Sequence, residues 1–323
     1  QDKLLNNHGG LYNRVTYEIK LSPFNLRECE DFYKSNGVIL SRYDIAQSYM
    51  VLGGIPYYMG YVNPGLSLAQ NIDNMFFKKN AVFKDEYNRL FASVFVNPEA
   101  VKSIVQLLYT RNAGFTRKEI IEKLGIKDGG RLSSNLNALI SSDFIIKYVP
   151  FGHGKREEHY KLTDPFCMFY LHFIWNRKKL SEKFWQQNVT SSFVSIWRGF
   201  AFENVCFNHI EQIKRSLGIS GVITDASAWS KKDDDADGTQ IDLLISRNDN
   251  VINMCEIKYY NGEFKVNKDY YLKLLNRQAI LAENVSTRIA IHSTLITTFG
   301  LTTNEYSGAF TNVIVLDDLF KED

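Results

Sequence analysis

The sequence predicts an α/β fold in which mainly helical segments lead into a C-terminal domain with a central mixed sheet. Three patterns carry this expectation. Residues 241–245 and 251–258 are β-rich apolar runs on either side of the polar turn Arg247-Asn248-Asp249-Asn250, a hairpin signature. A segment of helical period over 268–283 and a strand over 288–292 follow the hairpin. Earlier, residues 97–163 hold three short helical segments followed by two short β runs. At 323 residues and 45% hydrophobic content, the chain has room for roughly two or three domains with real cores.

In chain order, Val15, Tyr17, Ile19 and Leu21 alternate as a strand, and 25–33 reads as a helix begun near Ser22-Pro23. Gly53 and Gly54 are turn residues ahead of Pro56. The succession Gly9-Gly10-Leu11-Tyr12-Asn13-Arg14, Pro23-Phe24 and Gly53-Gly54-Ile55-Pro56 resembles the end of the nucleotide-binding core and the small helical lid of archaeal-type AAA ATPases. The resemblance assigns 1–62 to an ATPase remnant and lid, implies self-association through the ATPase domain, and turns Arg14 toward a nucleotide in the intact protein. Read from the residue alone, Arg14 is a surface or strand-end arginine. The phosphate-loop pattern Gly-x-x-x-x-Gly-Lys-Ser/Thr occurs nowhere in the chain, so ATP is expected as a cofactor of the full-length protein only. The start Gln1-Asp2-Lys3 has neither an initiator Met nor a signal-peptide pattern, and the chain is expected to be an internal fragment or a trimmed piece. Residues 63–96 read as a helical connector: Leu66, Ala69, Ile72, Met75 and Phe76 keep helical spacing, and a further helix covers 85–96.

In 97–163, Pro98 opens a helix through Ile104, Leu107 and Leu108. Thr116 caps a second helix over 117–124 that ends at Gly125, and Gly129-Gly130 lead into a third over 131–142. The β runs 145–149 and 159–162 flank a polar turn. This order resembles a winged helix-turn-helix domain, whose third helix commonly enters the major groove. DNA contacts would then come from Arg131, Ser134 and Asn135, with Ser133 and Asn137, and from Lys155 and Arg156 at the wing tip. The helix has one basic residue and Glu157-Glu158 partly neutralise the wing, so protein interaction stands as the alternative role.

Thr163-Asp164-Pro165 breaks the chain ahead of a linker, 164–192, in which a helix over 166–183 is rich in aromatic side chains that read as core. The last domain spans 193–323. One helix over 195–217 places Glu203 on the face of Phe207 and Ile210, and a strand covers 221–229. Side chains alternate along a strand, so Glu256 and Lys258 share a face. Pairing Ser246 with Val251 sets Asp242 opposite Cys255, next to Glu256. Neighbouring carboxylates in aliphatic strands are costly to desolvate without compensation, and a divalent cation that prefers hard oxygen ligands, Mg²⁺ or Mn²⁺, supplies it through Asp242 and Glu256. Lys258 would then steady the attacking water or the charge on phosphorus, which points to phosphodiester hydrolysis.

Ile241-Asp242 followed by Glu256-x-Lys258 resembles the PD-(D/E)xK nuclease superfamily, and Glu203 fits the acidic residue that this superfamily carries on a preceding helix. The resemblance implies a restriction-endonuclease-like fold and a catalytic set of Glu203, Asp242, Glu256 and Lys258. Gln278 on the following helix would orient substrate, or is a surface glutamine. Lys265 and Lys268 would meet phosphate, and Gln240 stands where the ATPase family often has Glu. The closing strands are expected over 295–301 and 313–316.

A net charge of +2 excludes a strongly basic global field, so DNA must be met by local patches. Cys29, Cys167, Cys206 and Cys255 lack zinc or disulfide spacing, and the histidines lack metal or triad spacing. The most apolar stretch, 166–175, is far short of the roughly 20 residues that span a bilayer, so no membrane partner is expected, and the scattered cysteines fit a reducing cytoplasm. The function expected is that of a DNA-processing ATPase fragment with a magnesium-dependent nuclease domain. The alternative is a regulatory ATPase whose nuclease-like domain is an inactive interaction platform.

Overall fold

The computed structural model describes residues 16, 17, 19–154, 157–176, 180–231 and 239–322. The strand expected over 15–21 is not formed in its described part: Tyr17, Ile19 and Leu21 are exposed and pair with no strand. Alternation alone does not make a strand, because the ladder needs a neighbour. The first helix, α1 (Leu26–Ser35), begins at Asn25, whose side chain accepts the Glu28 N–H at 2.9 Å while Glu28 accepts the Asn25 N–H at 2.8 Å. The buried α2 (Arg42–Leu52) ends at Gly53 and Gly54, both with positive φ as turn residues should have. Then follow α3 (Pro56–Met59), α4 (Leu68–Ile72), which runs into a π-helical turn at Asp73–Phe77, and α5 (Glu86–Val94).

A small unit of three helices and a three-stranded sheet comes next: α6 (Pro98–Tyr109), β1 (Phe115–Thr116), α7 (Arg117–Leu124), α8 (Gly130–Ser141), β2 (Ile145–Tyr148) and β3 (His159–Leu162). The strand order is β1-β3-β2, all antiparallel. Two-residue β1 is too short to leave a periodic signal in the sequence. It lies against β3 because Gly114 takes φ +72, where a Cβ would sit 2.1 Å from the Tyr160 carbonyl oxygen. Gly114→Ala is therefore expected to cost at least about 2 kcal/mol, from the clash and from left-handed strain together, measured by urea denaturation. An unchanged midpoint would show that the β1–β3 contact relaxes freely.

The linker is shorter in helix than expected. Asp164 caps α9 (Pro165–Phe173) by accepting the Cys167 N–H at 2.6 Å, and the helix stops before Asn176, which takes φ +55. Next, α10 (Phe184–Asn188) has its N-terminus held by buried Asp73, which accepts the N–H groups of Trp185 at 2.7 Å and Gln186 at 3.1 Å.

The helix expected over 195–217 is two helices, α11 (Ser192–Asn208) and α12 (Ile210–Ser216), broken at His209 (φ −124, ψ 34). The buried His209 ring accepts the Leu26 N–H at 2.9 Å on Nε2 and donates from Nδ1 to the Val205 carbonyl at 2.7 Å. The break thus places an acceptor at the start of α1. The chain closes with β4 (Thr224–Lys231), β5 (Thr239–Arg247), β6 (Val251–Lys258), α13 (Lys268–Ala282), β7 (Ala290–Thr297) and β8 (Asn312–Val315).

The sheet order is β4-β5-β6-β7-β8, with the first two pairings antiparallel and the last two parallel. This is the mixed sheet that the sequence predicts. The strands expected over 288–292 and 295–301 are the single strand β7, whose residues Ala290 to Thr297 pair without a break, in parallel, with Val251 to Lys258 of β6. Alternation sorts the hairpin between two cores: Leu243, Ile245, Cys255 and Ile257 belong to the large core shared with the helices, and Leu244, Ile252 and Met254 to a second core with α13. All four cysteines are buried and free. No helix among the described residues is long and apolar enough to cross a membrane.

Candidate active site

The hairpin register differs by one residue from the expected one. Ser246 pairs with Ile252, Ile245 with Asn253, Leu244 with Met254 and Leu243 with Cys255. The ladder ends there, with Asp242 the residue before Leu243 and Glu256 the residue after Cys255. The slip lies at the turn, where Asn250 takes φ +63 and Val251 is left outside the β5 ladder. The two carboxylates therefore flank the end of the ladder, where the Glu256 charge acts on Asp242.

Glu256 is 4% exposed and both its oxygens are engaged. Oε1 lies 2.7 Å from Lys258 Nζ, and Oε2 accepts from Arg277 Nη1 at 2.7 Å. Burial alone would raise the Glu256 pKa, but the two cations hold it below the ordinary carboxylate value. Asp242 has the opposite fate. Burial first, and then the Glu256 carboxylate, push it up to about 6, with Lys258, Arg277 and the Ile257 N–H opposing. Glu203 on α11 is raised by burial and then by Asp242. The catalytic set read from the sequence is thus brought together, with charge strain concentrated on Asp242 and Glu203.

Three further residues belong to the site and escaped sequence reasoning. Arg277 lies on the stripe Tyr270, Leu274, Arg277, Leu281 that α13 turns toward the sheet. A cation inside an apolar i, i+4, i+7, i+11 stripe is a legible signal for a buried anion opposite. Its neighbour Gln278 is half-buried, with Oε1 3.5 Å from Ser293 Oγ on β7, and does not reach the carboxylates. The other two come from the three-helix unit. Lys161 of β3 is 2% exposed, and its Nζ donates to the Asn112 carbonyl at 2.8 Å and to Asn112 Oδ1 at 2.7 Å. Asn112 Nδ2 donates in turn to Glu203 Oε2. The Lys161 ammonium also stands 5.1 Å from the centre of the Phe207 ring. Burial lowers the Lys161 pKa, against the pull of Glu203 and Asp242. Asn112, Lys161, Glu203, Asp242, Trp229 and Gln240 border one cavity of about 560 Å³ between the unit and the sheet.

Neither a protein-family model nor a curated protein matches this chain. Its chemistry is carried by geometry alone.

Among the described residues, no three His, Cys, Asp or Glu side chains converge as a ready-made ligand group. The donor set nevertheless suits a hard divalent cation. Glu203 and Asp242 are half-buried carboxylates in electrostatic contact, and the Glu256 charge acts on Asp242. Lys161, Lys258 and Arg277 match the three carboxylates in number, but two of these cations are spent on Glu256, which leaves Glu203 and Asp242 the less compensated pair.

The other residues singled out from the sequence lie apart. Arg131 and Ser134 of α8 are exposed and Asn135 is half-buried. Arg131 and Asn135 border a separate cavity of about 620 Å³ beside α6, and Arg131 donates to Asn97 Oδ1 at 3.3 Å. Lys265 and Lys268 are exposed ahead of Tyr270. Arg14, Lys155 and Arg156 lie outside the described residues.

Proposed function

We propose that this chain is the C-terminal part of an AAA-type ATP-binding protein whose last domain is a PD-(D/E)xK-type, magnesium-dependent DNA nuclease. The observation that carries the reading is the meeting of Asp242 on β5 with Glu256 and Lys258 on β6, beside Glu203 on α11. The order helix, three-stranded meander, helix and parallel strand supports it as well.

Asp242 and Glu256 would hold Mg²⁺ or Mn²⁺, with Glu203 completing the site. When bound, the cation supplies an acidified water and a counter-charge for the phosphoryl oxygens. Arg277 anchors one oxygen of Glu256 and so fixes the carboxylate plane. Lys258, held on the other oxygen, presents its remaining donors to the attacking water or to a phosphate oxygen. Trp229, Gln240 and the three-helix unit bound the cavity through which a strand would enter. In this reading the unit is a winged helix-turn-helix that contacts DNA or protein, ATP is turned over outside this chain, and the protein works in the cytoplasm.

One observation favours the second reading, a regulatory ATPase with an inactive platform: both oxygens of Glu256 are already neutralised by Lys258 and Arg277. Nicking of plasmid and cleavage of single-stranded DNA in Mg²⁺, Mn²⁺ or EDTA decides between them. Cleavage in either metal, reduced about 10²–10³-fold by Lys258→Ala with Mn²⁺ binding retained, is the expected result. No cleavage, together with no heat of Mn²⁺ binding at millimolar concentration, overturns the nuclease and leaves the platform.

A further inference from the structure

Lys161 is a buried cation from a different structural unit than the carboxylates it serves. Nothing in strand β3 itself requires an inward lysine, yet the side chain is sealed against α11 with its ammonium on both oxygens of Asn112. Asn112 is the bridge. Its Oδ1 takes the lysine, which turns its Nδ2 toward Glu203. The close approach of these residues depends on the left-handed Gly114, which lets the Asn112–Gly114 turn lie on Tyr160 and Lys161.

We infer that Lys161 is a positioning residue of the carboxylate site: acting through Asn112, it aims Glu203, and its ammonium supplies the counter-charge that Glu203 and Asp242 need when no divalent cation is present. The inference rests on the metal-dependent reading for its second half only. Two consequences follow from electrostatics. A cation bound at Glu203 and Asp242 shares its field with the Lys161 ammonium, so metal binding is weaker than the carboxylates alone would give. By reciprocity, metal binding weakens the hold of the three-helix unit on α11, and whatever withdraws that unit strengthens metal binding.

The test uses the whole chain and the variants Lys161→Met, Glu203→Gln and the double variant. Methionine keeps most of the packing of lysine and removes its charge. In EDTA, Lys161→Met lowers the urea midpoint, and adding Glu203→Gln restores a large part of the loss, so the two effects are clearly non-additive. A lysine that only fills space would give additive losses. Calorimetry then gives a Mn²⁺ Kd at least about tenfold lower for Lys161→Met than for the unaltered chain, from the loss of the competing charge.

Additive stabilities with unchanged Mn²⁺ affinity overturn the inference while leaving the nuclease reading in place. Non-additive stabilities with no Mn²⁺ binding in any variant uphold the role of Lys161 at Glu203 and overturn the nuclease. Should Lys161→Met alone not fold, a folded double variant is the same coupling at full strength. A double variant that also fails to fold overturns it.

Discussion

Replacing Asp242 by Asn is expected to stabilise the metal-free protein while abolishing Mn²⁺ binding and DNA cleavage. The sign follows from the direction of the shift. The carboxyl of Asp242 is pushed from 3.8 up to about 6 in the folded chain, by burial and then by the Glu256 charge. Above that value the folded protein carries an ionised Asp242 that the unfolded chain accommodates more easily. Stability therefore falls as pH rises between roughly 4 and 6, by on the order of 2–3 kcal/mol in total. Asparagine is nearly the same shape, keeps an acceptor for the Ile257 N–H, and has no charge to desolvate. Urea denaturation in EDTA near pH 8 should show the variant more stable by an amount of that order, and the difference should vanish near pH 4. A variant less stable than the original at pH 8 would mean that the Asp242 charge is already compensated. A gain in stability with a loss of chemistry is the usual mark of a residue kept for function.

Glu256→Gln should do the reverse. Its carboxylate is the shared anion of Lys258 and Arg277, and removal breaks both ion pairs and leaves Asp242 as the nearby anion for the two cations. Fully buried pairs lose about 3–5 kcal/mol on such a change, but the Lys258 and Arg277 side chains remain about a third exposed, which brings the expected cost to about 2–4 kcal/mol. Here the pKa is held low, so the stabilisation is present above the ordinary glutamate value and is lost as pH falls through the folded one. The deficit of the variant should therefore be full at neutral pH and disappear in acid. Equal midpoints at neutral pH would show that Lys258 and Arg277 are satisfied elsewhere. The two variants couple as well: with Glu256 uncharged, Asp242 loses its repelling neighbour and gains the same two cations, so its pKa should drop.

The opposite signs at two neighbouring carboxylates explain what was legible in the sequence. Asp242, Glu256 and Lys258 stood out because strand alternation and a short turn are local properties, and Glu203 because helical spacing put a carboxylate on an apolar face. The same logic would have found Arg277, one residue from the Gln278 that drew notice. The register error of one residue arose at the turn, where the left-handed conformation of Asn250 (φ +63) leaves Val251 outside the β5 ladder, a backbone choice that the apolar pattern does not encode. Lys161 and Asn112 were invisible for a stronger reason. Their burial is created only when the three-helix unit packs against α11, and no pattern within His159-Tyr160-Lys161-Leu162 encodes that neighbour. The strand expected over 15–21 failed for want of a partner, and the broken helix at His209 reflects a contact 183 residues distant.

That contact has a mechanical meaning. The buried His209 ring joins the end of α11 to the first N–H of α1, and in the first half of α11 Arg198 reaches back to the Val189 carbonyl at 2.8 Å. Between these two fastenings sits Glu203, about 9 Å from His209 at the rise of an α-helix. Asp242 and Glu256 ride on the sheet instead. Because α11 also packs on β5 and β6, the helix is held on both sides of Glu203 and along the sheet, so the three carboxylates keep one spacing for as long as these fastenings hold.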